Sequence, residues 1–494
     1  MTWLRRHPLA AFLPFQALMY FWNLKLLSPW SDEAYAFQTM HLPVGSLLNS
    51  LAHDFHPPGY YLLLYGWLRL PFGLDWEVQA RAFSGVCALV AFAAADRLWA
   101  SRLGERGRIC FLALWSVSPC LLLYARMCHS FCLQLLVGTV VAALIMRFAD
   151  ERSNRNGVWL AAGLTAALYI HYVPGIALLA AANLFLLRKR RLRDALAVDL
   201  AVAVAYLPWG WWLFRALKAW SSHPPNYFLT GSVIAEVPVR LAYWAMSFVI
   251  GEAQPDALLI IGAGVVLLVG GLAVAGARRN RPVAWLVAPM ALIGFVGIAR
   301  WVAYPFLPAR MLFLFPLLLL LFVEGALAHR RAGNIAIWSV MALSVSGVWC
   351  YSHRIDFRNK QYIMPLREIA AEIREHSAHD APVLVDTPNS DIVALSYCLG
   401  NSRRVLDTRD PETEQAIAAV LADPRVRTIW FLRSTHDVTP QKLDNRFEAQ
   451  LRGSGMKANV QQFGKFSALE RSAMRIVGIN PPPGYFQELL KFER

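Results

Sequence analysis

Two acids, Asp32 and Glu33, stand side by side in SPWSDEAYAFQ, directly after the first apolar run of the chain. A second polar cluster, His53, Asp54 and His56, follows in AHDFHPPGYY, ahead of a double proline and an aromatic run. A carboxylate half-sheltered by lipid and aromatic rings can serve as a general base, taking the proton of an acceptor hydroxyl while a phosphate departs. Phosphate is a good leaving group and needs electrostatic stabilisation rather than a proton donor. One acid then suffices, whereas glycoside hydrolysis needs a second carboxyl to protonate a poor leaving group. The structural alternative is that SDEA caps an interfacial helix, with Ser31 or Asp32 at its N-cap.

A departing phosphate also needs cations. These stand at separate places: Arg126 in YARMCHSF, Arg240, Arg300 and Arg310 in RWVAYPFLPARMLF, with His56 and with His171 in YIHYVP. Each alone can snorkel to a headgroup or cap a helix end. As a set, at the outer ends of different helices, they read as a site for an anion such as a lipid phosphate. Tyr172, beside His171, joins this phosphate set, and Tyr35, Tyr60 and Arg240 are assigned to the acceptor or sugar. His53, Asp54 and His56 are also of types that ligate divalent cations, without diagnostic spacing. The reading therefore requires no metal or other cofactor and keeps a divalent cation at those three residues as its alternative.

The elements that must position these groups are legible in composition. The 494 residues are 57% hydrophobic, and only 16% are charged, against roughly 25% in soluble domains; mean hydropathy is +0.39. Apolar runs of about 20 residues recur between short arginine-rich clusters, the pattern of a polytopic helical membrane protein. Alternating strands of a membrane barrel are absent. The net charge of +15 punctuates the apolar runs, so it sets orientation and does not indicate a nucleic-acid partner. Seven cysteines, mostly in apolar segments and without a CxxC pair, make neither a disulfide framework nor a zinc site. MTWLRRHPLAAFLPFQALMYFWNLKLL has a basic head and apolar body but bulky residues where cleavage would need small ones; it reads as a retained signal anchor.

Placing each arginine cluster inside gives about eleven transmembrane helices, with the amino end cytoplasmic and the carboxyl end outside. They fall at 8–27, 79–99, 108–124, 129–148, 157–172, 173–188, 195–214, 256–277, 282–300, 307–328 and 334–351. GYYLLLYGWLRLPFG at 59–73 is too short to count and reads as an amphipathic, half-buried interfacial helix, leaving 28–78 as the first exterior loop. A second exterior segment spans 215–255, and the glycines of GAGVVLLVGG are expected to allow close helix packing. Asp96, Asp199 and Glu324 are expected to pair with nearby arginines. From 352 to 494 short strands (APVLVDT, RRVLD, VRTIWFLRS) alternate with amphipathic helices (REIAAEIREHS, ETEQAIAAVLADP). That predicts a small extracytoplasmic α/β domain after a membrane module at 1–351.

SDEAY, FHPPGYYLLLYGWLRLPFG, RAFSGVCALVAFAAADRLWASRLG and SPCLLLYARMCHSFCLQLLV resemble, in order and spacing, the GT-C glycosyltransferases. The nearest branches are the protein-O-mannosyltransferases and the lipid A aminoarabinose transferases, families 39 and 83. The resemblance covers about residues 10–190 and continues more weakly to YPFLPARMLFLFPLLLLL. It implies a mainly α GT-C fold and inverting transfer of a sugar from a polyprenyl-phosphate donor to an acceptor hydroxyl of a lipid, glycan or protein outside the cytoplasm. The enzyme would be multi-pass in the inner (plasma) membrane. Under that resemblance Asp32 falls on the catalytic acid and Glu33 on its neighbour, His56 can contact the donor phosphate, and Arg126 and Arg310 match recurrent basic positions. Rival readings are a flippase or transporter for polyprenyl-linked lipids, which predicts mid-membrane ionisable residues and two related halves, and a lipid-diphosphate-dependent glycan ligase or polymerase.

Overall fold

The computed structural model describes residues 8–54, 56–220, 233–300, 308–378, 380–387, 389–400, 403–408, 410, 413–434, 446–476, 484–485 and 487–494. Within these, the side chains of 216–220, 233–237, 296–300, 389–390, 434, 446 and 473–476 lie outside the description. The chain forms two compact units: Met1–Lys25 with Thr39–His353, and Leu26–Gln38 with Arg354–Arg494. The second unit thus takes in the stretch bearing Asp32, which the sequence reading groups with the first exterior loop.

Helices in chain order are α1 (Pro8–Phe21), α2 (Ser31–Thr39), α3 (Val44–His53), α4 (Pro58–Trp67), α5 (Trp76–Leu98) and α6 (Gly104–Val117). Next come α7 (Pro119–Ala125), α8 (Phe131–Asp150), α9 (Asn154–Ile170), α10 (Tyr172–Arg188) and α11 (Leu192–Trp220). Then follow α12 (Val233–Ile250), α13 (Leu259–Arg279), α14 (Arg281–Arg300), α15 (Phe315–Ala328) and α16 (Arg330–His353). Six described segments are long and apolar enough to cross a membrane, and shorter apolar helices lie between them. At about 1.5 Å per residue, α4 reaches only about 15 Å, half of a hydrocarbon core. It buries Tyr60, Tyr61 and Leu64 while Leu62 and Leu63 remain exposed, as a half-buried helix should. Its end is tied to α5: Trp67 Nε1 donates to Gln79 O at 2.8 Å, and Gln79 Nε2 to Trp67 O at 2.9 Å.

The structure corrects several expectations. Much of the segment 215–255 is helical, which its hydropathy did not indicate: α11 runs on to Trp220 and α12 carries Arg240 within an apolar sequence. One arginine and Pro238 had interrupted the hydropathy signal there; SSHPPNYFLTG lies outside the described residues. Asp96 is held by Arg108 in a two-pronged pair at 2.6 Å, as expected. Asp199 and Glu324 take amides instead: Asn183 donates to Asp199 at 2.9 Å and Asn280 to Glu324 at 2.8 Å. In GAGVVLLVGG, Gly262 closes on α12 as expected, a Cβ there standing 2.6 Å from Ile250 Cδ1, while Gly264, Gly270 and Gly271 face open space. The closest approach comes beyond it, where a Cβ on Gly276 would stand 1.8 Å from Leu321 O and one on Gly325 1.9 Å from Leu272 O. Backbone cannot yield as a side-chain tip does, so Gly276→Ala should cost about 1–3 kcal/mol or more, read as a lower melting temperature in detergent. Gly264→Ala should leave it unchanged.

The carboxyl-terminal unit is a three-layer α/β domain. Its strands are β1 (Val383–Asp386), β2 (Val405–Asp407), β3 (Thr428–Ser434), β4 (Lys457–Phe463) and β5 (Gln487–Glu493), in the order β2-β1-β3-β5-β4. β1 pairs in parallel with β2 and β3, while β5 runs antiparallel to β3 and β4. Alternation along β1 sends Val383 and Val385 into one core with Ile369, Ile373 and Leu395, and Leu384 into the other with Ile417, Phe431 and Phe447. Ala34 of α2 belongs to the first core, and Phe37 packs on Tyr397 with centroids 5.1 Å apart. Upstream, Trp30 meets Tyr362 edge-on at 5.8 Å, and Ser28 Oγ accepts from Arg367 N at 3.3 Å.

Candidate active site

Asp32 and Glu33 lie in the first turn of α2. The first helical bond runs from Ala34 N to Trp30 O at 2.9 Å, so Trp30 takes the N-cap position expected of Ser31 or Asp32. Ser31 Oγ instead donates to Asp32 Oδ1 at 3.3 Å. Two carboxylates in a first turn are favoured by the helix dipole. Glu33 is 1% exposed, whereas Asp32 and Tyr35 are half-buried. Of the adjacent acids, Asp32 alone keeps an accessible face.

In the membrane unit, His56, His171 and Arg310 come together and draw in His129, which the sequence reading passed over. Pro57 starts α4, and Gly59 lets its backbone close on the α9–α10 turn: a Cβ there would sit 2.7 Å from Tyr169 O. This brings HPPG beside YIHY. His171 is the N-cap of α10, its Nδ1 accepting from Val173 N at 3.2 Å, which leaves Nε2 as the outward donor. His56 Nδ1 lies 2.9 Å from Asp54 Oδ2, and its ring meets Tyr61 edge-on at 5.6 Å. His129, 7% exposed, stacks on Phe131 at 3.9 Å and faces Tyr60 at 6.4 Å. Arg310 rides on the 3-10 turn Pro308–Leu314, packed against α8 and α10.

These groups feel one another's charge. His171 lies within the field of Arg310 and His56, and His129 within that of His56, His171 and Arg310. An arginine and three imidazoles gathered beside a helix N-terminus present N–H donors to an anion.

Arg126 departs from the expected phosphate set. It is 4% exposed and gives Nη1 to Met19 O at 3.3 Å and Nη2 to Asn23 O, beneath the Tyr351 ring at 5.2 Å. Arg81, paired with Glu77 at 2.8 Å, donates to Leu24 O at 2.6 Å. Two buried guanidiniums thus satisfy carbonyls that the end of α1 leaves unbonded, and Arg126 is a clamp on that exit. Tyr60, assigned to sugar or acceptor, is 2% exposed with its hydroxyl 3.5 Å from Cys128 Sγ. It supports His129 and presents no open face. Tyr172 accepts from Trp209 Nε1 at 3.1 Å; Arg240 is half-buried in α12, and the Arg300 side chain lies outside the described residues.

The metal alternative finds no convergence among the described residues: His53 turns its Nδ1 to Asn49 O of its own helix, at 2.8 Å. All seven cysteines are free thiols. A buried Glu252 accepts from Tyr124, Tyr243 and Ser247 hydroxyls, which ties α12 to the helix preceding Arg126.

No family model and no curated protein matches the chain. Among solved structures it is similar to ArnT from Cupriavidus metallidurans, in the apo state (TM-score 0.58) and bound to undecaprenyl phosphate (TM-score 0.57). Each match has 13% identity and covers 98% of this chain and 97% of that one. It is also similar to an oligosaccharyltransferase from Archaeoglobus fulgidus in complex with Zn and sulfate, with a TM-score of 0.51 and 11% identity over 86% of this chain and 68% of that one. The chain therefore shares the fold of these solved structures.

Proposed function

We propose that this chain is an inverting glycosyltransferase that moves a sugar from a polyprenyl-phosphate donor to an acceptor hydroxyl on the extracytoplasmic face of the inner membrane. The acceptor oxygen attacks the anomeric carbon, and the bond from that carbon to the phosphate oxygen breaks. The proton passes to Asp32, and the electron pair leaves with the polyprenyl phosphate. His56, His129, His171 and Arg310 hold that phosphate, with the N-terminus of α10 adding its dipole. A single phosphate is the charge to be balanced, so the proposal needs no metal.

The observation that carries the reading is the convergence of three imidazoles and Arg310, from four separate stretches of sequence, in a fold shared with a protein solved with undecaprenyl phosphate. Purified protein should be incubated with candidate polyprenyl-phospho-sugars in a lipid extract supplying acceptors. Release of free polyprenyl phosphate together with a glycosylated product is expected. Movement of intact donor across the bilayer without release would instead support a flippase and defeat this proposal.

A further inference from the structure

His129 begins the run HSFCLQ, and its neighbour Ser130 takes the N-cap position of α8 without capping it: the hydroxyl makes no bond to the first turn. A serine that does cap is worth about 1 kcal/mol, so here the hydroxyl is spent elsewhere. Oγ lies 3.2 Å from His129 Nδ1 on one side and accepts from Gln134 Nε2 at 2.7 Å on the other. Ser130 and Gln134 are both buried and stand one above the other across the first turn, where Gln134 N donates to Ser130 O at 2.9 Å.

The direction of donation along this row decides which ring nitrogen carries hydrogen. A serine hydroxyl has one hydrogen to give. With the Gln134 amide donating to Oγ, that hydrogen goes to Nδ1, and the neutral imidazole keeps its own on Nε2. Gln134 Oε1 is buried with no partner among the described residues. Turned over, the amide would put two N–H donors where that oxygen lies, and stranded N–H groups are rarer than under-bonded carbonyl oxygens. Phe131 stacks on the ring at 3.9 Å, and Ser84 Oγ donates to His129 O at 3.3 Å, so both ring and backbone are held.

We propose that Ser130 and Gln134 are positioning residues that hold His129 as its Nε2–H tautomer, so that it meets the departing phosphate as a donor and not as a lone pair. The role toward phosphate rests on the cradle reading given above; the tautomer itself does not require transfer.

The test is 15N NMR of the full chain, labelled at histidine and held in bilayers, with the His129 signals identified by their loss in His129→Gln. Wild type should carry hydrogen on Nε2 and none on Nδ1, a reading that needs no variant. Hydrogen on Nδ1, alone or together with Nε2, overturns the proposal. Gln134→Glu keeps the length and reverses the row: the carboxylate takes the Ser130 hydrogen, Oγ accepts from the ring, and hydrogen should move to Nδ1. Should that variant not fold, Ser130→Ala with Gln134→Met removes both partners at once, which is nearly neutral for stability, and should leave both tautomers present. Nε2–H alone in either variant overturns the proposal. Undecaprenyl phosphate should bind Gln134→Glu about 10- to 100-fold more weakly than wild type, the loss of one hydrogen bond to a charged group. The difference should vanish in a His129→Gln background, where a through-space effect of the new charge would persist. Equal affinity, or a loss that persists without His129, overturns the role toward phosphate. No arm uses a sugar, so failure here is distinguishable from failure of the transfer assay.

Discussion

Asp32→Asn is expected to leave the chain folded and still able to bind donor while transfer falls by about 10²–10⁴-fold, the usual loss when a positioned general base is removed. The substitution keeps size and helix position and removes only the basic oxygen. Ser31 Oγ can still donate to the amide oxygen, so the first turn of α2 keeps its local bond. Because the base acts in the transition state, kcat should carry the loss and donor affinity should not. Glu33→Gln is the contrast: a buried neighbour should show its loss mainly in thermal stability. Transfer by purified Asp32→Asn protein at the wild-type rate would remove Asp32 from the mechanism, whatever the fate of the phosphate cradle.

Arg310→Ala should lower kcat by about 10²–10³-fold, the scale seen when one preorganised donor to a developing anion is lost. The three neighbouring imidazoles do not replace it. Each imidazole offers a single N–H donor to the phosphate, where the guanidinium offers a planar fork and a permanent charge. Arg310→Lys should recover part of the rate, since a point charge remains while the planar fork is gone. Retention of more than a third of wild-type kcat by Arg310→Ala, measured as released lipid phosphate, would show that the cradle is not where the leaving group is held.

Much of the fold could be read directly from the chain. Hydropathy and charge are local properties, so apolar runs, arginine clusters and the short half-buried helix α4 were visible without any packing information. The change to an α/β pattern near residue 352 was visible for the same reason, since β1 and β3 are built on the apolar runs VLV and IWFL. β4 and β5 were not: KANVQQF exposes much of its surface, and QELLKFE begins with a buried Gln487 and Glu488. Glu488 is tolerated in that position because Arg433 of the adjoining strand pairs with it.

The sequence alone determined the kind of chemistry available: an acid pair after an apolar run, cations beyond what orientation requires, and a bundle to hold them. It could not sort those cations by task. Arg126 and His129 stand in the same eight-residue motif, YARMCHSF, yet one clamps the carbonyls of α1 and the other joins the cradle. Only tertiary structure decided this, because a guanidinium takes its role from whichever backbone or side chain long-range packing puts within 3 Å. The same packing drew Leu26–Gln38 into the carboxyl-terminal unit, where Ala34 and Phe37 find apolar partners more than 300 residues away in sequence.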